Sequence, residues 1–162
     1  MPFTIRPATD ADRGVILSLM RPGDYNRINL KPACFLVAEE AGRVIGIGQV
    51  KRHRDGAWEL ASLVVAADRR GQGVGGALVQ ALSARHRGEL YLLCLAPLEG
   101  YYERLGFRRA EPYTLPRSLA RMVWAGNLIG RAPVVFGRAR LRVIAMRRHR
   151  LHEPNDCVGD KP

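Results

Sequence analysis

The segment LVVAADRRGQGVGGALVQAL, Leu63 to Leu82, constrains the fold more than any other part of the chain. An apolar run ends at an acid and two arginines, four glycines follow within six residues, and an amphipathic pattern starts at once. β-Branched residues suit a pleated surface, glycines admit the left-handed backbone of a tight turn, and apolar residues spaced three and four apart mark a helix. The segment therefore predicts a strand, a glycine turn and a helix.

Elements of alternating type surround it. FTIR reads as a short strand, and TDADRGVILSLM opens with a Thr/Asp cap before Val15, Ile16, Leu19 and Met20 repeat at helical spacing. RPGDYNRINLKP is broken by prolines and reads as loop. CFLVAEEAGRVIGIGQVKR predicts a hairpin that turns between Glu40 and Gly42, and AWELASLVV the next strand. GVGGALVQALSAR follows as a helix, ELYLLCLA as a strand and LEGYYERLGF as a short helix stopped by Gly106. The class is α/β (α+β), built around one mixed sheet.

At 162 residues the chain suits one domain. MPFTIRP lacks a basic region followed by an apolar core, so no secretory leader is expected, and no apolar run approaches the roughly 20 residues of a membrane span. Cys34, Cys94 and Cys157 match neither a disulfide framework nor a paired metal-ligand spacing, which points to a cytoplasmic location and no metal site. Lys and Arg outnumber Asp and Glu by 26 to 15, and the resulting +11 draws anions. Six arginines fall within GRARLRVIAMRRHR, residues 137–150. A solvated strand edge and tail is their commonest role; nucleic acid contact is the alternative.

Gly71, Gly73 and Gly76 satisfy G-x-G-x-x-G, but a dinucleotide site fails on two counts. Ala66 to Arg70 separate the strand from the glycines, and Glu89 precedes the following strand where a ribose-binding acid would close it. No Lys-Ser or Lys-Thr pair completes a Walker A loop. The physics of the turn survives these failures: free backbone N–H groups at a helix start favour a phosphate, and Arg69 and Arg70 add positive charge beside it.

RRGQGVG, with Arg70, Gly73 and Gly75, resembles the R/Q-x-x-G-x-G/A signature of the GNAT N-acetyltransferase superfamily, whose members bind acetyl-coenzyme A. FTIRPATDADRGVILSLM resembles the family's first strand and helix, VIGIGQVKRHRDGAWELASLVV its third and fourth strands, and YYERLGF the motif after its fifth strand. The resemblance covers residues 3 to 111, with Arg140 to Arg147 as a last strand. It implies a mostly antiparallel sheet of about seven strands whose fourth and fifth members splay apart, in a domain spanning residues 1–150 ahead of a tail at 151–162.

The resemblance also implies roles for particular residues. The backbone of Leu63, Val64 and Val65 would bond the pantetheine arm of acetyl-coenzyme A, and Arg70, Gly71, Gln72, Gly73, Val74, Gly75 and Gly76 would cradle its pyrophosphate. Direct attack of an amine on the thioester needs a base, an acid and a backbone N–H on the fourth strand for the oxyanion. Glu59 is the candidate base, set on the same strand face as Val65 in an apolar setting; the other reading is an acid at a strand start in water. Tyr102 occupies the family's tyrosine position and is the candidate acid, while Tyr101 lines the pocket or packs in the core.

Cys94 reads as a small buried hydrophobe, with transient acceptance of the acyl group as its alternative. His53 and His86 read as exposed, and His149 and His152 lie in the arginine-rich end. Tyr113 to Gly137 form a longer connection than the minimal fold needs, with Leu119, Met122, Val123 and Leu128 as the stripe of a helix beginning near Pro116. With Trp124 and Phe136 it is suited to capping the acceptor pocket, to a homodimer contact or to covering the core; two arginines give little support for a membrane surface. The expected activity is acetyl transfer to a small-molecule amine, then to a protein N-terminus or lysine. A silent fold that binds nucleic acid or an acidic partner is the alternative of another class.

Overall fold

The computed structural model describes residues 2–20, 30–129 and 142–149. In chain order these form β1 (Thr4–Pro7), α1 (Arg13–Leu19), β2 (Phe35–Glu40), β3 (Arg43–Arg52), β4 (Trp58–Val65), α2 (Val74–Arg85), β5 (Leu90–Leu95), α3 (Glu99–Glu103), β6 (Arg108–Arg109), α4 (Arg117–Ile129) and β7 (Val143–Arg148). The strands make one sheet in the order β1-β2-β3-β4-β5-β7-β6. Every neighbouring pair is antiparallel except β4 and β5, which run parallel with α2 as their crossover.

Local chemistry explains several of these elements. Ala41 and Gly42 both have positive φ, +49° and +78°, the conformation of a two-residue hairpin loop matched to strand twist. Arg6 holds Asp12 through two bonds of 2.8 and 2.9 Å, and the same carboxylate accepts the Thr9 N–H at 2.7 Å, which fixes the entry to α1. The Arg6 guanidinium, with the Thr9 backbone, holds the Asp12 carboxyl well below the usual carboxylate range.

The sheet is covered on both faces. α2 places Val74, Leu78, Val79 and Leu82 over Leu36, Ile45, Leu60 and Leu92. Its closeness depends on β3, because a β-carbon on Gly46 would meet Leu78 and Val74 at 3.0 Å and one on Gly48 would meet Leu82 at 2.8 Å. On the other face, α1 packs Ile16 against Phe35, Val37 and Ile47, and α4 packs Leu119 against Ala57 and Tyr91.

Asp55 in the β3–β4 turn accepts the backbone N–H and hydroxyl of Ser118 at 2.8 and 2.9 Å, and Asn127 exchanges bonds of 3.0 and 2.8 Å with the backbone of Val143. α4 is thus the helix expected near Pro116. Its Leu119 is buried and Met122 joins the same cluster, whereas Trp124 is 68 % exposed and Leu128 points outward too. The last strand is Val143–Arg148: it starts later than the expected Arg140, with Arg142 ahead of it outside the strand, and ends one residue beyond the expected Arg147. Most of RPGDYNRINLKP, Phe136, Arg140, Cys157, His152 and the tail at 151–162 lie outside the described residues.

Candidate active site

β3 and β4 pair in register from Arg52↔Trp58 to Gln49↔Ala61, then resume at Ile47↔Val64, so β4 carries one extra residue. Ser62 absorbs it with φ +52°, a left-handed conformation uncommon for a side-chain-bearing residue, and the buried Gln49 donates to its hydroxyl at 3.0 Å. On its other edge β4 meets β5 only at Glu59↔Tyr91 and Leu60↔Leu92. Beyond Leu60 the two parallel strands have no paired register. The backbone of residues 61–65 therefore presents a ladder edge that faces β5 without bonding to it.

The glycine turn continues from that edge. Gly71 and Gly73 have φ +77° and +80°, and a β-carbon at either would meet nothing within 4 Å. Gly73 is the N-cap of α2 and offers no side chain to its first turn, so the amides of Val74, Gly75 and Gly76 face outward uncapped at the positive end of the helix. Gly75 is glycine for another reason: a β-carbon there would stand 2.9 Å from the Tyr101 hydroxyl.

The two arginines differ. Arg69, expected to add charge beside the turn, donates to Glu40 at 2.7 Å and to Asp68 at 3.1 Å, and its charge is balanced. Arg70 is exposed, pairs with no carboxylate among the described residues, and donates only to the Val65 carbonyl at 3.2 Å. Gln72 turns back to donate to the Asp68 carbonyl at 3.2 Å.

Glu59 is 4 % exposed, which overturns the reading of an acid in water. Its surroundings are ionic, not apolar as expected: His53 Nε2 lies 2.6 Å from Oε2 and Lys51 Nζ 3.1 Å from the same atom. His53 is half-buried within this cluster, a correction to its reading as a surface residue. Sequence reasoning missed Gln49, Lys51 and His53 as a set. The signal was available, since GQVKRH alternates and places Gln49 and Lys51 on one face of β3, with His53 continuing the alternation just past its end.

Tyr102 is 8 % exposed and packs in the cluster under α2 with Cys94 and Phe107, edge-on to Tyr101 at 5.0 Å between ring centroids. Burial first, and then Cys94, pushes its phenol above the ordinary value, so the hydroxyl keeps its proton through neutral pH. No described residue hydrogen-bonds that hydroxyl. Burial likewise pushes the Cys94 thiol up to about 11, which leaves little of the thiolate that nucleophilic chemistry requires.

The extra residue in β4 decides which face each group occupies. Leu60, Leu63 and Val65 pack with the α2 cluster, and Val64 packs with the α1 cluster. Glu59 stands across from Lys51 and Tyr91, whose ring packs under α4. Glu59 and Val65 are consequently on opposite faces, contrary to the simple alternation expected for the strand. Glu59 and Tyr102 lie on opposite sides of the sheet, and Glu59 sits at the paired rungs of β4 and β5 next to which the gap opens.

Among the described residues no three His, Cys, Asp or Glu side chains gather to hold a metal ion, and no helix is long and apolar enough to cross a membrane. No curated protein matches the chain in sequence. Solved structures match in fold. One is the ribosomal-protein-S18-alanine N-acetyltransferase of Escherichia coli, with a TM-score of 0.63 at 17 % identity over 94 % of this chain and 98 % of that one. Another is a Mycobacterium tuberculosis protein in complex with CoA and NLQ, with a TM-score of 0.66 at 17 % identity over 91 % and 99 %.

A third is N-acetylglutamate synthase from Neisseria gonorrhoeae, complexed with coenzyme A and L-arginine, with a TM-score of 0.62 at 21 % identity over 91 % of this chain. The chain spans about a third, 34 %, of that synthase. Residues 31–109, from the start of the hairpin to β6, match the family model of the acetyltransferase (GNAT) domain. The splayed parallel pair, the bulged fourth strand and the glycine-started helix all lie within that match, which identifies residues 31–109 as an acetyltransferase (GNAT) domain.

Proposed function

We propose that the protein transfers the acetyl group of acetyl-coenzyme A to the amine of a small molecule, and that the β4–β5 gap is where the two substrates meet. The observation that carries this reading is the placement of a buried carboxylate and a buried phenol on opposite faces of the sheet at a gap lined by unpaired backbone. The residues fit the coenzyme: open glycine positions and uncapped amides at the positive end of α2 suit its pyrophosphate, and the side of Leu63, Val64 and Val65 turned toward β5 and not paired with it suits an amide-containing arm. When bound, acetyl-coenzyme A supplies an activated thioester.

The chain's own residues then manage protons. An amine arriving from the α1 and α4 face is largely protonated at neutral pH, and Glu59 takes that proton while His53 and Lys51 hold its carboxylate in place. Tyr102, on the α2 side, gives its proton to the departing thiolate, which leaves as the free thiol and does not re-attack. Acting from opposite faces, base and acid do not compete for one proton. Those backbone N–H groups of residues 62–65 that point toward β5 and not toward β3 offer donors to the carbonyl oxygen as it gains charge. The net charge of +11 repels polycations, which favours anionic or zwitterionic amines over polyamines and basic protein tails.

Calorimetric titration with acetyl-coenzyme A, followed by an amine screen read by free-thiol release, tests this reading. Micromolar cofactor binding with thiol release on a small zwitterionic amine is the expected result. Thiol release only with protein termini or lysines would move the acceptor class. Absence of cofactor binding, with salt-sensitive nucleic acid binding, would overturn the enzyme reading.

A further inference from the structure

At the opposite end of α2 from Gly73, roughly 18 Å away along a 12-residue helix, lies a pocket of about 100 Å³ that the chemistry above does not use. Ser83, His86, Gly88, Leu90 and Arg148 line it, and among the described residues no acidic one does. Three buried side-chain polar atoms of the described residues lack a hydrogen-bond partner: Ser83 Oγ, His86 Nε2 and Arg148 Nη1. All three belong to this one pocket. Ser83 itself is only 8 % exposed, and the Arg148 guanidinium pairs with no carboxylate among the described residues, although its neighbour Arg147 reaches Glu89 at 3.5 Å.

Buried polar groups are ordinarily satisfied, and a half-buried cation such as Arg148, with a buried N–H unpartnered and no counter-charge among the described residues, is a costly exception. An arginine N–H can only donate, whereas a hydroxyl and an imidazole nitrogen can each do so in one of their states. One guest meets all three demands: a compact acceptor bearing negative charge. Water satisfies the hydrogen bonds but leaves the guanidinium uncompensated. We propose that this pocket is a binding site for a small tetrahedral oxyanion of the phosphate class, separate from the coenzyme cradle and formed by Ser83, His86 and Arg148.

Amide chemical shifts during titration with inorganic phosphate, at constant ionic strength, test the site. Saturable shifts at Ser83 and Gly88 are expected, resolved from any at Gly73 and Val74, where phosphate also meets helix amides. Arg148→Met is expected to weaken the binding about tenfold or more and Ser83→Ala to weaken it less. Arg147→Met removes the same charge outside the pocket and is expected to leave the affinity within about twofold. No saturable shift at Ser83 and Gly88 in the unaltered chain, which would indicate a pocket filled by water, overturns the proposal. So does equal weakening by Arg147→Met and Arg148→Met, which would trace the effect to net charge.

Discussion

The Tyr101 hydroxyl stands 2.9 Å from the position that a β-carbon on Gly75 would occupy, so the first turn of α2 and the start of α3 share one small space. Gly75→Ala is expected to lower stability, because the overlap costs about 1–3 kcal/mol while alanine returns only about 1 kcal/mol of helix propensity. Tyr101→Phe in the same chain should recover most of the loss. Chemical denaturation of the two single variants and the double variant measures the coupling; strictly additive effects would show that the two residues do not share the space.

Tyr102→Phe removes a hydroxyl that no described residue bonds, so stability should change little. If the phenol protonates the leaving thiolate, turnover should fall by about 10²-fold or more with cofactor affinity unchanged. Turnover equal to that of the unaltered enzyme across the pH range would assign the proton to another group.

Glu59→Gln keeps a partner for His53 but leaves the Lys51 cation without its carboxylate. The rate is expected to fall about 10²-fold while a stability loss of about 1–3 kcal/mol appears in the same chain. A Lys51→Met change in that background should restore stability and not turnover, which separates the structural part of the effect from the chemical part.

Acidification should act through Asp12, whose carboxyl is held below its ordinary value by Arg6. A depressed folded-state value contributes stability above the unfolded-state value of about 3.9 and loses it as pH falls further. Asp12→Asn should therefore cost about 1.5–3 kcal/mol near neutrality, with the gap to the unaltered chain closing below about pH 4. Thermal unfolding at a series of pH values checks the sign; a gap that widens in acid would contradict it.

Much of this was legible in the chain. The strand, glycine turn and helix from Leu63 to Arg85, the hairpin at Ala41 and Gly42, and α4 after Pro116 all follow from local signals that tertiary packing reinforced. Gly46 and Gly48 were not legible as packing devices, because what they make room for, Leu78 and Leu82, lies some thirty residues away in sequence. The surroundings of Glu59 were misjudged for a related reason. Alternation along one strand shows which residues share a face, but the cluster of Glu59, Lys51 and His53 depends on register between two strands.

The bulge at Ser62 makes β4 a strand of mixed parity. Before it, even-numbered residues such as Leu60 look toward α2; after it, odd-numbered ones such as Leu63 and Val65 do. A deletion of one residue here would leave every functional side chain in the chain and yet mirror half the strand, carrying Glu59 to the side where Tyr102 already lies, or Val64 and Val65 to each other's places. Sequence length within β4 is accordingly under tighter constraint than the identity of most of its residues.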